Sequence, residues 1–283
     1  MKTNKDKLIT HAASGTIAHP TLGKSYWTSF DGQAINVPSV GSITYDIEVG
    51  HNCIDLVGDH VEPGVSIRNN DKANNMTLNH LACIGNIATI TSGNAKGATG
   101  FVTGKHGGVD HVIIHFEQDI INQLVIGDNI QIKTKGLGLA LTDYPQIKLF
   151  NLDPNLFEEI DISVDVNKRV TVPVTKVLPA HLLGAGLGSA NIQIGDYDIM
   201  MHDQTENLKY DLNSLRFGDF VAIKDHYAAF GPHYKKDSLS IGVVVHSNSQ
   251  SAGHGPGVVI IMSDDSNTLD YKLNPNLNLR DFI

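Results

Sequence analysis

The segment GDYDIMMHD (195–203) spaces Asp196, Asp198 and His202 at intervals of two and four residues. In an extended chain alternate side chains share a face. These three then point one way with Met200, while Tyr197, Ile199 and Met201 point the other. Two carboxylates and an imidazole on one face cost free energy to bury unless a metal, substrate or partner satisfies them. Imidazoles mixed with carboxylates suit Zn²⁺, Mn²⁺ or Fe²⁺, whereas carboxylates alone suit Mg²⁺ or Ca²⁺. The competing reading is a surface edge strand with both aspartates in water.

Three Asp-His dipeptides add candidates: Asp59-His60, Asp110-His111 and Asp225-His226. Neighbours on a strand face opposite ways, so both members reach one site only at a bend. Glycines in GDHVEPG (58–64) and KHGGVDH (105–111) supply such bends. Asp59, His60, Glu62, His106 and His111 therefore join the set, with His60 and Glu62 at the parity of one extended face. In LRFGDFVAIKDH (215–226), Asp219 opens a strand that ends at Asp225 and His226, where a cleft would find them. The YAAFGPHYKKD stretch after it reads as a flexible lid. AGHGPGV (252–258) sets His254 between glycines, whose N–H groups suit an oxyanion. The expected arrangement is a divalent metal, Zn or Mn, between His60, Asp198 and His226, with Glu62 or His254 moving a proton. GAGLGS (184–189) lacks the GxGxxG spacing and a surrounding βαβ unit, which excludes a dinucleotide loop. There is no GxSxG elbow or P-loop.

The elements holding these residues read as mainly β. The chain has 24 Asp but only 6 Glu, and 27 Gly. Asp and Gly favour turns over helix interiors. β-Branched runs bounded by Gly, Asp or Asn mark strands at 43–49, 87–91, 112–116, 130–134, 170–177, 219–224, 240–246 and 258–262. Helices are few and short, at 74–82, 117–124 and 154–160, the last opening with Asp153 as N-cap before Pro154. Residues 82–135 read as a small SH3-like barrel. A boundary near residue 136 separates an N-terminal domain (1–136) from a β-rich C-terminal domain (137–283) carrying most Asp/His motifs. The tail after Asn274 reads as irregular.

A formal charge of −9 opposes a general nucleic-acid binder, which needs a basic surface. Cys53 and Cys83 are too few for a disulfide framework and form no CxxC. With no signal-like apolar stretch and no run long enough to span a bilayer, the expected setting is cytoplasmic.

Three resemblances bear on function. GDHVEPGVSIRN, LACIGN, GFVTGKHGGVDHV, GLGSANIQIGDYDI, LRFGDFVAIKDH, SIGVVVH and AGHGPGV together resemble a bacterial and archaeal family catalogued as a domain of unknown function. That resemblance covers nearly the whole chain and implies an N- and C-terminal domain pair, without an activity. GNAKGATGFVTG also resembles the KOW motif of ribosomal and transcription-factor barrels, which implies RNA contact, though only Lys96 and Lys105 lie nearby. A further likeness, to acetamidase/formamidase, touches Asp198, Asp219 and His226, with Tyr197 departing from its pattern. It implies metal-dependent attack on a small amide or cyclic amide. The alternative is a non-catalytic, homo-oligomeric binding or scaffold protein, and RNA binding through the KOW-like unit comes last.

Overall fold

The computed structural model describes residues 1–22, 26–188 and 191–283. Ser189, the last residue of the GAGLGS motif, lies outside them. Six antiparallel strands close the N-terminal barrel: β1 (His11–Ile17), β2 (Gly64–Arg68), β3 (Ile87–Ile90), β4 (Thr99–His106), β5 (His111–His115) and β6 (Asn129–Thr134). Their order is β1-β6-β3-β4-β5-β2, and β2 returns to β1 through Thr16↔Arg68 and Ile17↔Ile67. Closure leaves no open edge among these strands. Its interior is filled by the inward residues of each strand, among them Val65, Ile67, Val102, Val112, Ile114, Ile130 and Ile132, all fully buried. Four of the strands fall in 82–135. The other two come from upstream, so the barrel cannot close without the segment that carries His60 and Glu62.

The C-terminal half is built on a sheet of β7 (Lys148–Leu149), β8 (Lys176–Pro179), β9 (Tyr197–Asp198), β10 (Phe220–Tyr227), β11 (His233–His246) and β12 (Gly257–Asp264). The order is β7-β12-β11-β10-β8, with β9 also paired to β12. Apolar residues pack on both of its faces: Val243, Val245, Val259 and Ile261 on one, Tyr197, Val244, Val258 and Ile260 on the other. The expected helices are present as Lys72–Leu81, Gln118–Ile121 and Pro154–Glu159, and the Asp153 carboxylate caps the last through Asn155 N at 2.7 Å.

Three local expectations are corrected. Residues 228–232 form a tight connection between β10 and β11, with Tyr227 paired to His233, rather than a lid. The tail folds into a 3₁₀ turn, Leu279–Phe282, with a capping box from Asn278 and Asp281, and Leu279 is wholly buried. The strand read at 196–202 is paired as β9 for only two residues. Ile199 and Met200 then bond Pro256 O and Leu182 O, and Asp203 caps the helix Gln204–Lys209. That change of partner carries His202 away from Asp196 and Asp198.

Barrel and sheet meet where β4 passes β11. A register shift between Val102 and Gly104 bends β4, and a Cβ built on Gly104 would overlap the Val245 side chain. The bare glycine lets the two backbones approach, which places His106, two residues on, beside His246. Lys105, its side chain turned the other way, is fully buried. Its Nζ donates to Asn151 Oδ1 at 2.8 Å and to the Gln193 carbonyl at 2.5 Å, tying the segment that leads into Asp196 to the barrel. Burial pushes its pKa down to about 8. A buried lysine offers no contact to a nucleic-acid phosphate. Lys105→Met keeps the volume but strands one buried and one part-buried acceptor, so it should cost about 1–3 kcal/mol. Urea denaturation of both proteins at neutral pH checks this.

Candidate metal centre

Four chain segments converge where the barrel mouth faces the sheet. The first is the loop 59–62 that leads into β2. At His60 the backbone turns left-handed, φ +52°, so the ring folds back beside its own neighbour. Asp59 Oδ2 accepts from His60 Nδ1 at 2.6 Å, which leaves Nε2 as the free donor atom. The β4–β5 hairpin is the second segment, with His106 directly opposite His111. Both rings turn their Nδ1 to Glu62: His106 to Oε1 at 2.5 Å and His111 to Oε2 at 3.0 Å. Third is β9, whose alternation points Asp196 and Asp198 together and buries Tyr197 in the sheet core. Finally, the β11–β12 hairpin brings His246, paired across to Gly257, and His254 in the connecting turn.

Two groups result. His60, Asp198 and His254 form one, and His106, Asp196 and His246 the other; within each, one donor atom per residue lies inside 4.8 Å of the rest. Two ligands bonded to one ion at about 2.1 Å each sit about 3–3.5 Å apart in tetrahedral geometry. In the first group the separations are 2.9 Å (His254 Nδ1 to Asp198 Oδ2), 3.1 Å (His60 Nε2 to His254 Nδ1) and 3.4 Å (His60 Nε2 to Asp198 Oδ2). These match the spacing that three ligands of one cation require.

The second group is deeper, with His246 fully enclosed and His106 and Asp196 under a tenth exposed. Glu62 occupies His106 Nδ1, and His246 Nδ1 is 2.9 Å from Ser247 O, so both rings have Nε2 to offer. His246 Nε2 and Asp196 Oδ2 are 2.7 Å apart, an ion-pair distance, yet among the described residues neither makes a hydrogen bond. Proximity without hydrogen-bond direction is what two ligands aimed at a shared cation display. Gly257 lines this space: a Cβ there would overlap both atoms.

Electrostatics favours positive charge at the centre. Burial opposes the ionisation of Glu62, but its bonds to His106 and His111 outweigh it and hold the carboxyl well below the usual range. Asp198, also penalised by burial, is held far down by His246, His254 and His60. Burial works against charging His246, yet Asp196 and Asp198 raise its pKa well above the ordinary histidine value.

A cleft of about 330 Å³ opens onto the centre, lined by His60, His106, Asp110, Asp196, Asp198 and His254 among others. A cleft of about 360 Å³ beside Lys133, Lys135 and Glu159 has no histidine in its lining. The two groups differ in access: the His254 side chain is 40% exposed, while that of His246 is wholly enclosed.

Other expected residues lie elsewhere. His226 is buried on the opposite face of the sheet, against the Tyr197 ring, with Nδ1 on Ser240 Oγ at 2.9 Å. A bulge between Lys224 and His226, with Asp225 at φ +58°, turns it inward, so it does not join His60 and Asp198. Asp225 accepts from Asp237 N across that hairpin. Asp219 is committed to Arg216 and Asn278. His202 stacks on Phe30 at 4.2 Å and meets Ser251 O. Glu62 has both oxygens engaged and sits behind His106, which makes it a positioning group rather than a proton shuttle. Gly255 N–H, expected for an oxyanion, goes to Asp198 Oδ2 at 3.2 Å. Sequence reasoning missed His246. Its signal is a lone imidazole closing the apolar run SIGVVVH, eight residues before His254, a spacing at which a hairpin brings both ends together.

Residues 26–158 match the N-terminal part, and 159–283 the C-terminal part, of a family described as Domain of unknown function (DUF4438). The chain belongs to the DUF4438 family. A solved structure, "Crystal structure of TM1086", is similar over 100% of this chain and 99% of its own, with 43% identity and a TM-score of 0.96. No curated protein matches. Among the described residues of this DUF4438 chain no helix is long and apolar enough to cross a membrane.

Glu62→Gln removes the carboxylate that orients His106, and should weaken divalent-ion affinity about 10–100-fold, read by competition with a chromogenic chelator. Burial pushes the His226 pKa down from 6.5 to about 4. The unfolded chain then binds a proton between those values that the folded one refuses, so this stability is present above pH 6.5 and is lost as pH falls toward 4. Between pH 7 and 5 that loss is on the order of 2 kcal/mol. Urea midpoints should show it in the natural protein and show less in His226→Phe.

Proposed function

We propose that the protein is a metal-dependent hydrolase of small carbonyl substrates, amides or cyclic amides foremost, using Zn²⁺ or Mn²⁺. One observation carries this reading: the His60–Asp198–His254 triangle, with cation-ligand spacing and one edge open to a small cleft. Three protein ligands and an open fourth position are the pattern of catalytic rather than structural sites. A volume near 330 Å³ suits a small molecule.

A divalent ion held there would lower the pKa of water and polarise a substrate carbonyl. The chain's own residues set the geometry. Asp59 fixes the tautomer and direction of His60, and Gly255 N–H steadies Asp198. His254 serves as a ligand in this reading, which replaces the proton-shuttle role expected from sequence. Water adds to the carbonyl carbon, the C–N bond breaks, and the proton lost by water ends on the departing nitrogen, with no net redox change. The likeness to acetamidase/formamidase supports the amide class through Asp198 alone, because Asp219 and His226 do not converge with it.

Untagged protein should carry a transition metal by elemental analysis and lose several degrees of melting temperature on chelation. It should release amine or ring-opened acid from a panel of small amides, and His60→Ala should abolish that turnover. A metal-free protein whose melting is indifferent to chelator contradicts the reading.

A further inference from the structure

We infer that the two triads form a single binuclear centre, in which the Asp198 carboxylate bridges two divalent ions. This rests on the hydrolase reading's assumption that ions bind here at all. Asp198 turns one oxygen to each side: Oδ2 lies 2.9 Å from His254 Nδ1 and 3.4 Å from His60 Nε2, and Oδ1 lies 3.7 Å from His246 Nε2. The rings of the two groups are close neighbours. His60 is 5.1 Å from His246 and 5.5 Å from His106, centroid to centroid, and His106 stacks on His246 at 4.1 Å. Carboxylate bridging at such range belongs to two-ion sites, whose ions sit about 3.5–4 Å apart.

Unpartnered atoms mark the inner position independently. Asp196 Oδ2 and His246 Nε2 are 2.7 Å apart and more than nine-tenths buried, yet among the described residues neither makes a hydrogen bond. Burying a polar atom without a hydrogen bond is costly. Asp59, Glu62, Asp196 and Asp198 are all buried at this centre.

Access separates the two positions. The inner one, among His106, Asp196 and His246, has no exposed ligand, whereas the outer one ends at the half-open His254. The inner ion is therefore the slow one to exchange, and the outer one faces substrate.

The test loads the untagged 283-residue chain with Mn²⁺, counts ions after gel filtration, and records electron paramagnetic resonance. Two ions per chain with a spin-coupled multiline spectrum are expected. His254→Ala, at the exposed rim, should keep one ion and the natural far-UV circular dichroism while losing the coupling. Chelation should remove the two ions in separate phases. One ion per chain, or two without coupling, overturns the binuclear centre and leaves the hydrolase reading standing. No bound ion overturns both.

Discussion

Buried negative charge is the constraint on which this molecule turns. Asp59, Glu62, Asp196 and Asp198 are each less than a tenth exposed, and the imidazoles of His60, His106, His111, His246 and His254 are what face them. Leaving one such carboxylate without its partner would cost several kcal/mol. The fold must therefore deliver five rings from three separate chain segments to one place. Asp59 on His60 and Glu62 on His106 fix ring direction by the Nδ1 side and turn Nε2 inward, the arrangement in which carboxylates orient metal-binding histidines.

The architecture serves that delivery. Closing the barrel through β1 and β2 brings Glu62 beneath the β4–β5 hairpin, where His106 and His111 meet it. The bare backbone of Gly104 seats Val245 against β4 and sets His106 next to His246. On the sheet, β9 adds to β12 for only two residues, enough to turn both aspartates inward before the chain leaves. Gly257 opposite His246 keeps the inner space free of a side chain. Small residues at 104 and 257 and a buried lysine at 105 thus act on the site through packing, without touching a substrate.

Much of this was legible in residue order. β-Branched runs between Gly and Asp located most strands, Asp153-Pro154 marked a helix start, and alternation put Asp196 and Asp198 on one side. Motifs around His60, His106, His111 and His254 stood out because glycines bend the chain there. What local pattern could not supply was which of them meet. His226 looked equivalent to His60, each following an Asp, but a bulge sends one into the apolar core and a left-handed turn sends the other to the cleft. His246 passed as the end of a core strand, since its role depends on a bare partner eleven residues away and on a barrel strand far upstream. His202 failed for a similar reason, because capping at Asp203 breaks the extended run whose parity had included it.

The central claim is that these donors converge to hold cations, and anomalous diffraction from crystals grown with Mn²⁺ or Zn²⁺ tests it most directly. The account predicts strong peaks within bonding distance of His60 Nε2, His254 Nδ1 and Asp198, and of His106 Nε2, His246 Nε2 and Asp196. A structure at saturating metal in which those atoms instead bond one another or water, with no anomalous density between them, would contradict it.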